Sequence, residues 1–241
     1  MEFTYTTMLA QLNVASAHPG GLSTTKKAWE HLKNYRHDCI LDAGCGTGKT
    51  LEFLAEVTNS RLIGIDQDQA MIKQAEQRLK GKTVELIQGN VQELPFDDGS
   101  IDCIISESVV SFNQIGPILS EYNRVLRPGG ILHLIKITGD QTLTPETIKK
   151  IKQFYQIKSL LSPDEWIESI EKVHFNLIDY FPLSATNDGD TELRITPDTN
   201  QIFLDYLNHH YHLIESIQKE LIGYQFFCQK NMKKQANDDS I

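Results

Sequence analysis

From Cys39 to Ile137 short apolar runs alternate with longer amphipathic stretches. The runs 39–43, 61–66, 83–89, 101–106 and 130–137 are apolar on both faces and too short for helices. That pattern predicts strands buried on both sides of a parallel sheet. The stretches 49–57, 69–80 and 115–126 carry apolar residues at helical spacing and predict the crossover helices. Upstream, residues 1–22 form a polar, mixed segment ending in Ala17-His18-Pro19-Gly20-Gly21. Ser23 or Thr24 then caps a helix predicted to run through Tyr35. After Thr138 the alternation stops. Thr144-Pro145-Glu146 opens a helix over 144–161, with proline in its first turn. Ser162-Pro163-Asp164-Glu165 opens a second helix, to Val173. A strand is predicted over His174–Pro182 and another over Gly223–Lys230. Between them, 183–220 is a long connection with a polar loop at 187–190 and a helix over 199–219. Connections of that length in compact domains are often lids. The tail from residue 231 is polar and predicted to be disordered.

The chemistry concentrates at the end of the first strand, in Ile40-Leu41-Asp42-Ala43-Gly44-Cys45-Gly46-Thr47-Gly48-Lys49-Thr50. Glycines at every second position let backbone approach a ligand where a Cβ would collide. The N–H groups of the following helix then face that ligand. Gly48-Lys49-Thr50 matches the end of a phosphate-binding P-loop, but Ala43 stands where its first glycine is required. Gly44 and Gly46 match a dinucleotide fingerprint, but Gly48 comes one residue early for it. The spacing present is Asp-x-Gly-x-Gly-x-Gly. Arg61-Leu62-Ile63-Gly64-Ile65-Asp66 is an apolar strand tipped by an acid, where a carboxylate can accept both ribose hydroxyls. Asp68 is the expected cap of the next helix.

These residues resemble motif I and its sequel in the class I S-adenosylmethionine (SAM)-dependent methyltransferases, in their type 11-like small-molecule group. The resemblance runs from Cys39 to Lys136, including Arg127-Pro128-Gly129-Gly130 before an apolar strand, and more loosely to the C-terminus. It implies an α/β, Rossmann-like fold: seven strands, mostly parallel, helices on both faces, the last strand antiparallel, and a helical lid. It implies one domain over 1–241, with 1–22 covering the active site and 139–173 and 183–220 as helical insertions. It implies SAM as cofactor. Asp42 would orient the glycine turn and meet the methionine amino group, Gly44, Cys45, Gly46 and Gly48 would form the turn, Asp66 would bind the ribose, Asn90 and Val91 would contact the adenine, and Gln67, Met71 and Ser106 would complete the cofactor pocket. The family commonly has an acid where Asn90 stands, but an amide can also pair with adenine. Glu107, just after the fourth strand, and His18, in a His-Pro-Gly-Gly stretch similar to one in small-molecule methyltransferases, are the candidate acid–base or substrate-orienting groups. Tyr5 is a weaker companion. Tyr206, Tyr211 and Phe203 on the lid helix are expected to pack, with a substrate cage as the alternative.

Charge and cysteine usage narrow the partners. The 241 residues carry a net charge of −9 with no basic stripe, which disfavours nucleic acid and anionic membranes and favours a small-molecule methyl acceptor. The four cysteines are scattered, with no zinc or disulfide spacing, as expected in a reducing cytoplasm. His209, His210 and His212 are too close along one helix to converge on a metal, and no metal is expected. No apolar run reaches membrane-spanning length. A methyltransferase acting on RNA or protein, a non-catalytic SAM-binding module and, less favoured, an NAD- or ATP-dependent enzyme remain the competing readings.

Overall fold

The computed structural model describes residues 4–110, 114–139, 143–183, 192–217 and 221–232. The elements run α1 (Tyr5–Gln11), α2 (Gly21–Leu32), β1 (Cys39–Ala43), α3 (Lys49–Val57), β2 (Arg61–Asp66), α4 (Gln69–Arg78), β3 (Val84–Gln88), β4 (Ile101–Glu107), α5 (Ile115–Val125), β5 (Leu126–Gly139), α6 (Pro145–Tyr155), α7 (Pro163–Lys172), β6 (Phe175–Leu183), α8 (Gln201–Ile217) and β7 (Leu221–Lys230). The strands form one seven-stranded sheet in the order β3-β2-β1-β4-β5-β7-β6. Strands β1 to β5 pair in parallel, and β7 enters antiparallel between β5 and β6. This is the Rossmann-like sheet expected from the alternation.

The sheet order reverses between β1 and β4, so the loops leaving their carboxyl ends diverge and open a crevice. One core packs α5 and α7 onto the sheet around Tyr122, Trp166 and Phe226. A second packs α2, α3 and α4 onto the other face around Trp29, Leu51 and Phe227. A third lies beyond the strand ends and joins α1, α6 and α8 through Met8, Leu12, Ile151 and Leu207.

Several boundaries differ from the sequence reading. Residues 5–11 are a helix. Thr4 and Thr7 cap each other's backbone N–H groups, and Tyr5 and Met8 are buried against the third core. That box uses threonine where glutamate or glutamine is usual, which hid it. Helix α2 starts at Gly21, ahead of Ser23, because Gly20 takes a left-handed conformation (φ 75°). A Cβ at Gly20 would meet the Thr24 hydroxyl at 2.0 Å. Helix α6 stops at Tyr155, six residues early, where Gln156 turns left-handed (φ 54°). The Arg127–Gly130 stretch is an irregularity inside β5: Leu126 pairs with Ile101, and pairing resumes at Ile131 with Cys103. The polar loop at 187–190, the end of the lid helix and most of the C-terminal tail lie outside the described residues.

Candidate active site

The glycine turn is fastened to the tip of β2. The N–H groups of Gly44 and Cys45 both donate to the Ile65 carbonyl, at 2.7 and 3.0 Å. The Gly46 N–H donates to Asp66 Oδ2 at 3.0 Å. Gly44 sits at φ 80°, and a Cβ there would lie 2.0 Å from Val109 Cγ2, so the loop after β4 packs directly on the turn. Gly48 has a different job. It caps α3 at φ 79° and faces Ala75 of α4 and that helix's C-cap, Leu79; it is not among the residues of the cavity wall. Lys49 Nζ is engaged by Glu52 (2.9 Å) and Glu192 (2.5 Å), so it is no phosphate grip.

The turn borders a cavity of about 240 Å³ at the carboxyl ends of β1, β2 and β4. Asp42, Asp66 and Glu107 all line it. Asp66 Oδ1 also accepts the Asp68 N–H, at 2.9 Å. Burial raises the Asp66 carboxyl, against the lowering effect of these backbone donors. Asp42 is 2 % exposed, and burial, Glu107 and Asp66 together push it well above the usual carboxylate range. Its Oδ2 has no hydrogen-bond partner, and neither do the buried hydroxyls of Ser16, Thr47 and Ser108 on the same wall. Buried polar atoms are nearly always paired, so four orphans around one cavity mark a surface shaped for a polar ligand.

Glu107 is bound from three sides. Thr25 and Thr50 each donate a hydroxyl at 2.8 Å, and His18 Nε2 lies 3.3 Å from Oε2. His18 is 8 % exposed, so the loop before α2 presents it to the cavity and not to solvent. Thr25 and Thr50 escaped the sequence reading; nothing along the chain shows which threonines will face an acid 82 and 57 residues away. Cys45, Gln67, Met71 and Val91 also line the cavity, as expected. Asn90 and Ser106 do not. Asn90 is exposed and its Oδ1 accepts the Gln92 N–H at 2.9 Å, so Gly89 and Val91 form that wall. Ser106 of β4 is fully buried within the sheet's core, bonded to the Tyr122 hydroxyl at 3.0 Å.

The far end of the cavity is built from α1, α6 and α8. Tyr5, Tyr155 and His210 line it. Of the lid-helix aromatics, Tyr206 reaches back to the Phe154 carbonyl (2.6 Å) and Tyr211 is exposed, so neither forms a cage. Among the described residues, no group of three His, Cys, Asp or Glu side chains is placed to hold a metal ion. The four cysteines are free and buried, and no described helix is long and apolar enough to cross a membrane.

A crevice at the switch point of such a sheet, rimmed by a glycine turn and two acidic strand tips, defines a nucleoside-binding Rossmann-like enzyme. The comparisons with known proteins specify which. Residues 41–134 match the family model described as "Methyltransferase domain". The uncharacterized methyltransferase YodH of Bacillus subtilis is 31% identical over 228 residues, covering 92% of this chain and 97% of that protein. O-methyltransferase rstn1 of Aspergillus nomiae is 28% identical over 169 residues, covering 68% of this chain and 75% of that protein. Geranyl diphosphate C-methyltransferase of Streptomyces coelicolor, solved with Mg²⁺, geranyl diphosphate and S-adenosyl-L-homocysteine, superposes with a TM-score of 0.69. At 16% identity, over 87% of this chain and 79% of that one, it shows the shared fold. The chain belongs to the SAM-dependent methyltransferases, and its cofactor is SAM.

The wall fits that cofactor. SAM carries two positive centres, an ammonium and a sulfonium, and Asp42, with its unpartnered oxygen, and Glu107 are the carboxyl groups on the wall that would face them. A buried carboxylate with no cation is costly, and a bound cation removes the cost.

Proposed function

We propose that this enzyme methylates a small-molecule acceptor held in the same cavity as SAM. SAM supplies an electrophilic methyl group on sulfur; this chain's residues bind, orient and exclude water. The observation that carries the reading is the Asp42 carboxylate, buried and unpartnered on the cavity wall. We assign it the methionine ammonium. Asp66 is held by backbone donors at both oxygens and keeps lone pairs for the two ribose hydroxyls. Gly89, Val91 and Met71 flank the adenine, and Gln67 the ribose. Glu107 has both oxygens engaged, so we assign it a fixed negative field near the sulfonium and not free proton abstraction. His18 ties the N-terminal segment to that anion and orients the acceptor side. Methyl transfer needs alignment above all, and this constellation supplies it.

The described parts of the N-terminal segment, Tyr5 to His18, and of α8, at His210, wall the cavity and cover it in this reading. The wall's enclosure and the net charge of −9 support a small acceptor over RNA or protein. The free, buried thiols support a reducing, cytoplasmic setting. Calorimetric titration with SAM, S-adenosylhomocysteine, NADH and ATP tests the cofactor roles. SAM and its product are expected to bind, and Asp66→Ala to weaken both at least about ten-fold, as for a lost charge-assisted hydrogen bond. Full SAM affinity in Asp66→Ala would remove the ribose assignment. Acceptor screening with methyl-labelled SAM then tests the small-molecule reading; transfer to RNA or protein alone would sink it.

A further inference from the structure

The cavity has two chemically different halves. Its acidic side chains, Asp42, Asp66, Asp68 and Glu107, belong to the side assigned to the cofactor. The other side is walled by Leu9, Val14, Ile137, Ile151 and Ile157. Among the described lining residues the only lysine or arginine is Lys49, which is spent on Glu52 and Glu192. An anionic acceptor would find no cation here, and a cationic one would lie on the apolar side. Burying either charge unpaired is costly.

A hydrogen-bonded polar pair from α6 and α8 interrupts the apolar wall. The Tyr155 hydroxyl meets His210 Nδ1 at 2.9 Å. Tyr5 packs edge-on against Tyr155 (4.8 Å between ring centres) and leans on His210 (5.4 Å), so α1, α6 and α8 all fix the pair. Tyr206, one turn before His210, bonds the Phe154 carbonyl and locks α8 to α6. With Nδ1 turned to Tyr155, Nε2 is the ring nitrogen left for a ligand. Burial lowers His210 to about 4, so the ring is neutral near pH 7. A neutral Nε2 is a donor or an acceptor according to tautomer, and a hydroxyl can pair with either.

We infer that this half binds an uncharged, apolar acceptor carrying a hydroxyl group, and that His210, held by Tyr155, is the specificity-determining residue that orients that hydroxyl. The inference rests on the methyltransferase reading above and deepens it. An ammonium or carboxylate acceptor is rejected by the apolar wall, and a hydrocarbon lacking the hydroxyl leaves His210 unpaired.

The test is equilibrium binding with probes of one size: 2-naphthol, naphthalene, 2-naphthoate and 2-naphthylmethylammonium, each followed by its own fluorescence with S-adenosylhomocysteine saturating. S-adenosylhomocysteine affinity is measured separately by calorimetry for every variant. 2-Naphthol is expected to bind at least about ten-fold more tightly than either charged probe and about five-fold more tightly than naphthalene. His210→Ala should remove the advantage over naphthalene, and His210→Gln, which keeps a donor and an acceptor, should restore part of it. Both should bind S-adenosylhomocysteine as the parent does, which shows that they fold. Equal binding of the four probes, preference for a charged one, no binding of any, or an unchanged naphthol advantage in His210→Ala would each overturn the inference. Failure of the parent protein to bind S-adenosylhomocysteine would instead bring down the cofactor assignment beneath it.

Discussion

Asp42 sits where burial and two neighbouring carboxylates oppose its ionisation, yet the role proposed for it, holding an ammonium, requires it to be ionised. Its folded value lies above its unfolded one. The folded chain therefore keeps a proton that the unfolded chain gives up, and without a ligand this residue costs stability as pH rises toward the raised value. SAM reverses the preference by binding the anion. Its affinity is expected to rise with pH, by at most about ten-fold per unit, until Asp42 is ionised in the free protein. Below that point binding should release a proton, seen as a calorimetric heat that changes with the buffer's ionisation enthalpy. Asp66, also raised by burial, adds a shallower contribution. Asp42→Asn should bind SAM more weakly with a flatter pH profile; a profile as steep as the parent's would remove Asp42 from the ammonium site. At this scale the sequence was informative about type and blind about direction. The strand-tip acids and the first two glycines could be read because each is bound to a strand end. Gly48 could not be placed, because spacing along a turn does not say which side faces α4. Asn90 lies beside a cavity-lining glycine and valine, but its own side chain turned to a local backbone N–H.

Two segments far apart in the chain meet beside the glycine turn's helices. The Ala15 N–H donates to the Glu192 carbonyl at 2.9 Å and the Arg194 N–H to the Leu12 carbonyl at 2.7 Å. The Glu192 side chain then reaches Lys49 of α3 (2.5 Å) and Arg78 of α4 (2.9 Å), and Glu52 bonds the same two cations. The 192–194 stretch therefore straps the N-terminal segment to the helices beside the glycine turn. Lys49 and Arg78 lower the Glu192 carboxyl, so the strap is complete above the ordinary carboxylate range and is lost as pH falls through the lowered value. Half-exposed pairs contribute little to global stability, about 1 kcal/mol or less. Glu192→Ala is expected to leave the unfolding midpoint nearly unchanged but to speed release of S-adenosylhomocysteine several-fold, an effect that high salt should reproduce in the parent protein. Stopped-flow displacement reads the rate, and an unchanged rate would mean that the strap does not gate the cofactor. None of this was legible beforehand. A surface glutamate in a long connection carries no sign of its partners, and α1 went unread because its cap is an unusual threonine pair.

The sheet, by contrast, was legible almost strand by strand, because doubly buried parallel strands are continuous apolar runs and alternate with helices. The acceptor half was not, since α1, α6 and α8 come together only after that sheet has formed. Among the buried polar residues that interrupt the apolar strands, one is a lysine. Lys136 lies within β5 between Ile135 and Ile137, fully buried, with its Nζ unpartnered and 5.9 Å from the centre of the Trp166 ring. Burial drives it well below the ordinary lysine value, and the attraction of Glu107 offsets only part of that. The folded protein therefore gives up this proton at lower pH than the unfolded chain does. Stability must rise with pH from the lowered folded value up to the ordinary lysine value, by up to about 1.4 kcal/mol per unit from this group alone. Lys136→Met fills similar volume without an amine and is expected to stabilise the fold at pH 7 by about 1–4 kcal/mol. The difference between the two proteins should shrink as pH climbs toward 10, because the parent gains what the variant never lacked. Denaturant unfolding of both at pH 7, 8 and 9 decides it. Parallel stability curves would mean that Lys136 stays charged in the fold and has a partner that compensates it.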